Sequence, residues 1–182
     1  MELLGLINRL IDSKGPARIW GKLWHLRGEI LSLAGDFGGA EASFTVAMDN
    51  ANKGREIKLE SILLSCLAEL AWKRGDSTLA LDLHRQALKR FIAIKDSIGA
   101  SKSYTNMSYI FRSQGKKQLA MDAHSEVEHI LSNENDPNLV HARINLARSY
   151  LEMGELDLGR EHALKAFDAT LSKGDEITHS RA

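Results

Sequence analysis

Seven histidines, one cysteine and scattered carboxylates are the side chains of this 182-residue chain that could hold a metal or attack a substrate. His84 and His124 stand forty residues apart. If they lie on neighbouring packed helices, about 8 to 10 Å separates them, too far for two rings to share a zinc that needs about 2 Å to each nitrogen. Asp122, Glu126 and His129 fall at one-turn intervals and can share a helix face, yet that spacing is also that of an ordinary solvated charge face. Cys66 sits in an apolar helical stretch, where packing is the expected role. No glycine-rich phosphate loop follows a strand, and no serine or cysteine stands in a nucleophile motif. The chain is therefore expected to have no metal, no cofactor and no catalysis of its own.

The bulk composition narrows the class further. Twenty-four basic side chains balance twenty-four acidic ones, 43% of residues are apolar and 26% are charged, the make-up of a soluble globular chain. A zero formal charge without like-charge runs gives no field for a phosphate backbone, so nucleic acid is not expected as a partner. No segment reaches the roughly 18 apolar residues of a membrane span, and Glu2 stands where a signal peptide would be basic. With a single cysteine, the chain suits a reducing compartment, and the cytoplasm is the expected address. Leucine and alanine number 46 against 21 for valine, isoleucine and threonine, which favours helices throughout.

The elements that position these side chains repeat. Gly35, Gly75, Gly115 and Gly154 are spaced by 40, 40 and 39 residues. Five residues after each comes a tiny one (Ala40, Ala80, Ala120, Gly159), and twelve after it an apolar one (Ala47, Ala87, Val127, Ala166). Seven before each stands another small residue (Gly28, Ala68, Ser108, Ala147). Small residues at facing positions let antiparallel helices approach, and glycine ends the first helix in the conformation it adopts cheaply. Asp36, Asp76 and Asp136 are placed to cap following helices, with Pro137 in the first turn. The spacing predicts helices near 17–34, 38–53, 57–74, 77–95, 98–114, 117–132, 137–153 and 156–172.

Residues Trp24, Gly28, Leu31, Gly35, Ala40, Phe44 and Ala47 carry the spacing of a tetratricopeptide repeat. The chain resembles that family over residues 17–172, with Arg27 where leucine is usual, His84 and His124 in place of the second-helix aromatic, and Arg143 in place of the opening tryptophan. Its long period is similar to that of kinesin light chain, LGN-type polarity scaffolds, bacterial pheromone receptors and the sensor arms of large signalling ATPases. The resemblance implies an all-α, right-handed superhelix of helical hairpins, with repeats at 17–56, 57–96, 97–136 and 137–174. Residues 2–12 read as the second helix of a partial repeat and 175–182 as the start of a further helix, as in a window cut from a longer array.

The same resemblance implies a function. In related repeats an asparagine in the stretch Asn-Leu-Ala-x-x-Tyr lines the concave groove and holds a bound peptide's backbone. Asn145 to Tyr150 matches that stretch, and Asn106 matches it with Met107, Ser108 and Phe111 substituted. A side-chain amide offers a peptide unit both a donor and an acceptor. The equivalent positions in the first two repeats are Leu26 and Cys66, and an asparagine bonding to its own neighbouring helix is an equally good account of the pair. Lys102, Tyr109 and Arg148, with Glu69 and Lys73 from the preceding repeat, complete the candidate peptide-binding set. Their mixed charge argues against a single acidic or basic ligand class, and the pattern of a carboxylate clamp is matched only at isolated residues such as Lys102. The expected role is a protein-interaction scaffold binding a peptide or protein partner, the alternative being the sensor arm of a larger signalling or transcription regulator.

Overall fold

A computed structural model of the protein describes residues 2–11, 16–133 and 140–179. Nine α-helices make up these residues, with no strand among them: α1 (Glu2–Ile11), α2 (Ala17–Leu33), α3 (Phe37–Gly54), α4 (Ile57–Lys73), α5 (Ser77–Ala93), α6 (Ser97–Ser113), α7 (Lys117–Asn133), α8 (Val140–Glu152) and α9 (Leu156–His179). The all-α class expected from composition is the one observed. None of these helices is long and apolar enough to cross a membrane.

Each hairpin turn is built on its glycine. Gly35, Gly75, Gly115 and Gly154 take φ of +82°, +87°, +71° and +81°, the left-handed conformation that closes a helix. The residue after each donates its amide back across the helix end: Asp36 N to Leu31 O at 2.9 Å, Asp76 N to Ala71 O at 2.9 Å, Lys116 N to Phe111 O at 2.9 Å and Glu155 N to Tyr150 O at 3.0 Å. Asp36 and Asp76 then cap the following helices as expected, accepting from Gly39 N and Leu79 N at 2.9 Å each. Asp96 does the same for α6, accepting from Gly99 N at 3.0 Å. The expected Asp136 cap lies outside the described residues. A Cβ added at Gly115 would touch nothing within 4 Å, so Gly115→Ala meets only the backbone penalty. We expect it to lower stability by about 1 to 2 kcal/mol in chemical denaturation; an unchanged midpoint would contradict the turn geometry.

The chain forms two compact units, residues 1–99 and 100–182. In the first, Leu31, Ala40, Phe44, Ala47, Leu59, Leu63 and Leu70 form a buried core, with Leu4, Trp24 and Cys66 packed half-buried against it. Gly28 lets α2 approach α3 so closely that its α-carbon faces the Phe44 ring directly. The isolated helix α1 belongs to this unit: Ile7 is buried and Asn8 Oδ1 accepts from Arg27 Nε at 3.0 Å. In the second unit Val127, Leu131, Leu146 and Tyr150 form the core, with Tyr104, Met121 and Leu158 against it.

One boundary differs from expectation. A helix end was expected near residue 172, followed by a junction at Gly174 and a new helix, but α9 runs without a break to His179. A lone glycine costs a helix only about 1 kcal/mol relative to alanine, so Gly174 and Asp175 do not by themselves stop it.

Candidate functional site

The predicted peptide-binding residues divide between the two units. Asn106, Lys102 and Tyr109 share α6, and Asn145 and Arg148 share α8, all within the second unit. Their positions follow from the helical period: Asn106 and Tyr109 are three residues apart, as are Asn145 and Arg148, so each pair occupies one face of its helix. The two asparagines are half-buried, while Lys102 and Arg148 are exposed. Burial, then the Glu152 carboxylate of α8, push the Tyr109 phenol above its ordinary pKa, with Arg148, Arg112 and Ser149 opposing. The Arg112 guanidinium lies 5.2 Å from the Tyr109 ring centre and pairs through Nη2 with Glu152 Oε2 at 2.5 Å. These contacts join α6 to α8 beside Asn106 and Asn145.

Glu69 and Lys73 lie instead on α4 of the first unit. Lys73 Nζ donates to Ser32 Oγ at 3.1 Å and sits 5.5 Å from the Phe37 ring centre, so its ammonium is held by the preceding hairpin. The structure therefore brings Asn106, Tyr109, Asn145 and Arg148 onto joined helices and describes Glu69 and Lys73 as part of another unit.

The two histidines that replace the second-helix aromatic are buried. His84 and His124 are 1% and 0% exposed, because the small side chains opposite leave room for a ring. His124 Nε2 lies 2.8 Å from Ser108 Oγ, and its ring meets Tyr150 edge-on at 4.9 Å. Tyr150 in turn stacks on His162 at 5.6 Å and donates its hydroxyl to Glu128 Oε1, which His162 Nε2 also approaches at 3.2 Å. Burial lowers the His124 pKa to about 4 and also lowers that of His162, although Glu128 opposes both shifts. This chain of polar contacts links α6, α7, α8 and α9. Beside it a cavity is lined by Glu128, Glu161 and Asp168 together with Arg143, Lys165 and His162, a set of mixed charge. Asp122, Glu126 and His129 are exposed along α7, the solvated charge face expected of them.

Sequence reasoning missed two groupings. The Tyr150–Glu128–His162 contacts were hidden because they join three helices. The second grouping, in the first unit, joins His25 and Glu29 of α2 to Cys66 of α4. Its only sequence signal is the separation of His25 and Cys66 by 41 residues, one repeat plus one.

Two family models, both described as tetratricopeptide repeat, match residues 59–133 and 140–165. No curated protein sequence matches the chain. Among solved structures, the fold is similar to BtubC (BKLC) from P. vanneervenii, at 16% identity and TM-score 0.67, covering 92% of this chain and 70% of that one. It is also similar to aspartyl phosphate phosphatase F from Bacillus subtilis, at 14% identity and TM-score 0.74, covering 96% of this chain and 46% of that one. A kinesin-light-chain-type protein from Podosopora anserina with nearly identical TPR-like repeats matches at 15% identity and TM-score 0.63, covering 96% of this chain and 84% of that one. Identities this low speak to the fold alone. With glycine-turned hairpins in both units and repeat models matching across most of residues 59–165, the chain belongs to the tetratricopeptide repeat family.

Proposed function

We propose that this chain is a non-catalytic interaction scaffold that binds an extended segment of a protein partner on the α6–α8 face of its second unit. Asn106 and Asn145 hydrogen-bond the partner's backbone, and Lys102, Tyr109 and Arg148 contact its side chains. The observation that supports this reading is the ion pair of Arg112 on α6 with Glu152 on α8, at 2.5 Å. It joins α6 to α8, the helices that carry the two asparagines, and in this proposal their amides meet the partner in succession. Amides in succession suit a peptide backbone, whose donors and acceptors recur at regular intervals whatever its side chains. Glu69 and Lys73 are contacts of the first unit's own α4 face in this proposal. A single cysteine and an even charge balance support a cytoplasmic setting.

The test is a display selection of peptides on the full chain, followed by calorimetry with the best binder and the single variants Asn106→Ala and Asn145→Ala. Each variant is expected to lose roughly 1 to 2 kcal/mol of binding. A fall in melting temperature without loss of affinity would mean that the amides serve their own helices, and would end the reading.

A further inference from the structure

Three side chains of the first unit converge outside the surface described above. His25 and Glu29 are one turn apart on α2, and Cys66 reaches them from α4. His25 Nε2 lies 3.6 Å from Cys66 Sγ and 3.6 Å from Glu29 Oε1. The three donor atoms all lie within 4.8 Å of one another. We propose that His25, Glu29 and Cys66 form a zinc site with one thiolate, one imidazole and one carboxylate ligand, its fourth position left to water.

Geometry argues first. A tetrahedral zinc holds sulfur at about 2.3 Å and nitrogen or oxygen at about 2.0 to 2.1 Å, which sets ligand edges of about 3.6 Å from sulfur to nitrogen and about 3.3 Å from nitrogen to oxygen. The observed sulfur–nitrogen separation already equals its edge, and the nitrogen–oxygen separation exceeds its own by a few tenths of an ångström. The closing movement falls on Glu29, whose side chain is 49% exposed and whose oxygen lies within 4.8 Å of the sulfur.

The rigid partners are the other two. The His25 ring is 18% exposed and rests against the buried Phe44 ring at 6.0 Å between centres. Cys66 is half-buried against the same core. A ligand pair held by packing loses little freedom on binding, which favours affinity.

The donor set selects the metal class. Thiolate with imidazole favours zinc and its neighbours over magnesium or calcium, and a hard carboxylate disfavours copper(I). Cys66 also occupies the place in its repeat that Asn106 and Asn145 hold in theirs, nine residues before the turn glycine. Binding displaces the thiol proton to solvent, so affinity rises with pH. None of this depends on the peptide-binding reading.

The experiment is a titration of the full chain, reduced and stripped of metal by a chelator, with cobalt(II), followed by displacement with zinc. One cobalt per chain is expected, with the near-ultraviolet charge-transfer absorption of a thiolate–cobalt bond, lost again as zinc is added. Cys66→Ser should abolish that absorption and weaken zinc binding at least about 100-fold, since even a residue behind a metal ligand is worth about 10- to 100-fold. Glu29→Gln, at an exposed position that leaves the core intact, should weaken it at least about tenfold. His162→Ala, in the other unit, should change nothing. Absence of the charge-transfer absorption overturns the proposal, as does unchanged affinity in Glu29→Gln together with His25→Asn. In either case the 3.6 Å contact is only a thiol beside an imidazole.

Discussion

Gly28→Leu should cost the protein about 3 kcal/mol of stability, a loss at the upper end of what overpacking a core produces. The cause is local. Gly28 is buried in α2 where α3 crosses it, and even a Cβ built there would overlap the Phe44 ring. Phe44 is 2% exposed and surrounded by Leu31, Ala40, Ala47 and Leu63, so the ring has nowhere to go and the helices must part. Shrinking the ring should relieve the clash. In a Phe44→Leu background the further cost of Gly28→Ala should be smaller than in the wild type, a coupling read from a double-mutant cycle of denaturation midpoints. Gly5→Ala is the control: nothing lies within 4 Å of its added carbon, and alanine is the better helix former by up to about 1 kcal/mol. Equal losses at Gly28 and Gly5 would contradict the close approach of α2 and α3.

Acid should destabilise the second unit through His124. An unfolded chain protonates this imidazole near its ordinary value of 6.5, whereas burial between Ser108 and Tyr150 holds it neutral down to about 4, with Arg112 and His162 reinforcing the shift and Glu128 opposing it. Between those values the unfolded state binds the proton and the folded state does not. Stability is therefore full above about pH 7 and falls as pH drops from 6.5 toward 4. A loss of roughly 2 to 3 kcal/mol is expected, somewhat less than the full shift implies because a charged ring would draw in water and be screened. Lowered in the same direction, His162 adds to the slope. Urea denaturation from pH 7.5 to 4.5 measures it, and His124→Gln should flatten the curve. A slope unchanged by that substitution would place the acid sensitivity elsewhere.

The hairpins were legible because their determinants are local. A glycine that must take positive φ, flanked by small residues at fixed offsets, announces a turn between close-packed helices. The observed ends of α2 to α7 accordingly fall within two residues of the ranges the spacing predicts. Gly174 shows the limit of that logic. It has the look of a junction, but glycine merely permits a helix to end, and here the hydrogen-bonded ladder carries on past it. Contacts between repeats were less legible. Whether Cys66 meets His25, or Tyr150 meets Glu128, depends on the rotation of neighbouring helices about their axes and on side-chain rotamers. No single-chain period encodes either. Arg55 and Lys95 make the same point at the junctions between hairpins, taking φ of +54° and +56° without being glycine. There Glu56 N and Asp96 N donate to Ala51 O and Phe91 O at 2.9 and 2.8 Å, and these bonds offset the strain.

In the proposed complex an extended peptide is held by backbone hydrogen bonds to Asn106 and Asn145. Side-chain amide resonances report this most directly, since each asparagine contributes one resolved NH2 pair in a nitrogen–proton correlation spectrum. Titrating the labelled full chain with a selected peptide should shift the NH2 pairs of Asn106 and Asn145 together and in proportion to occupancy. The NH2 pair of Asn50, which donates to Val46 O on α3, should stay in place. A peptide that binds at saturation while both the Asn106 and Asn145 pairs remain unmoved would contradict the claim.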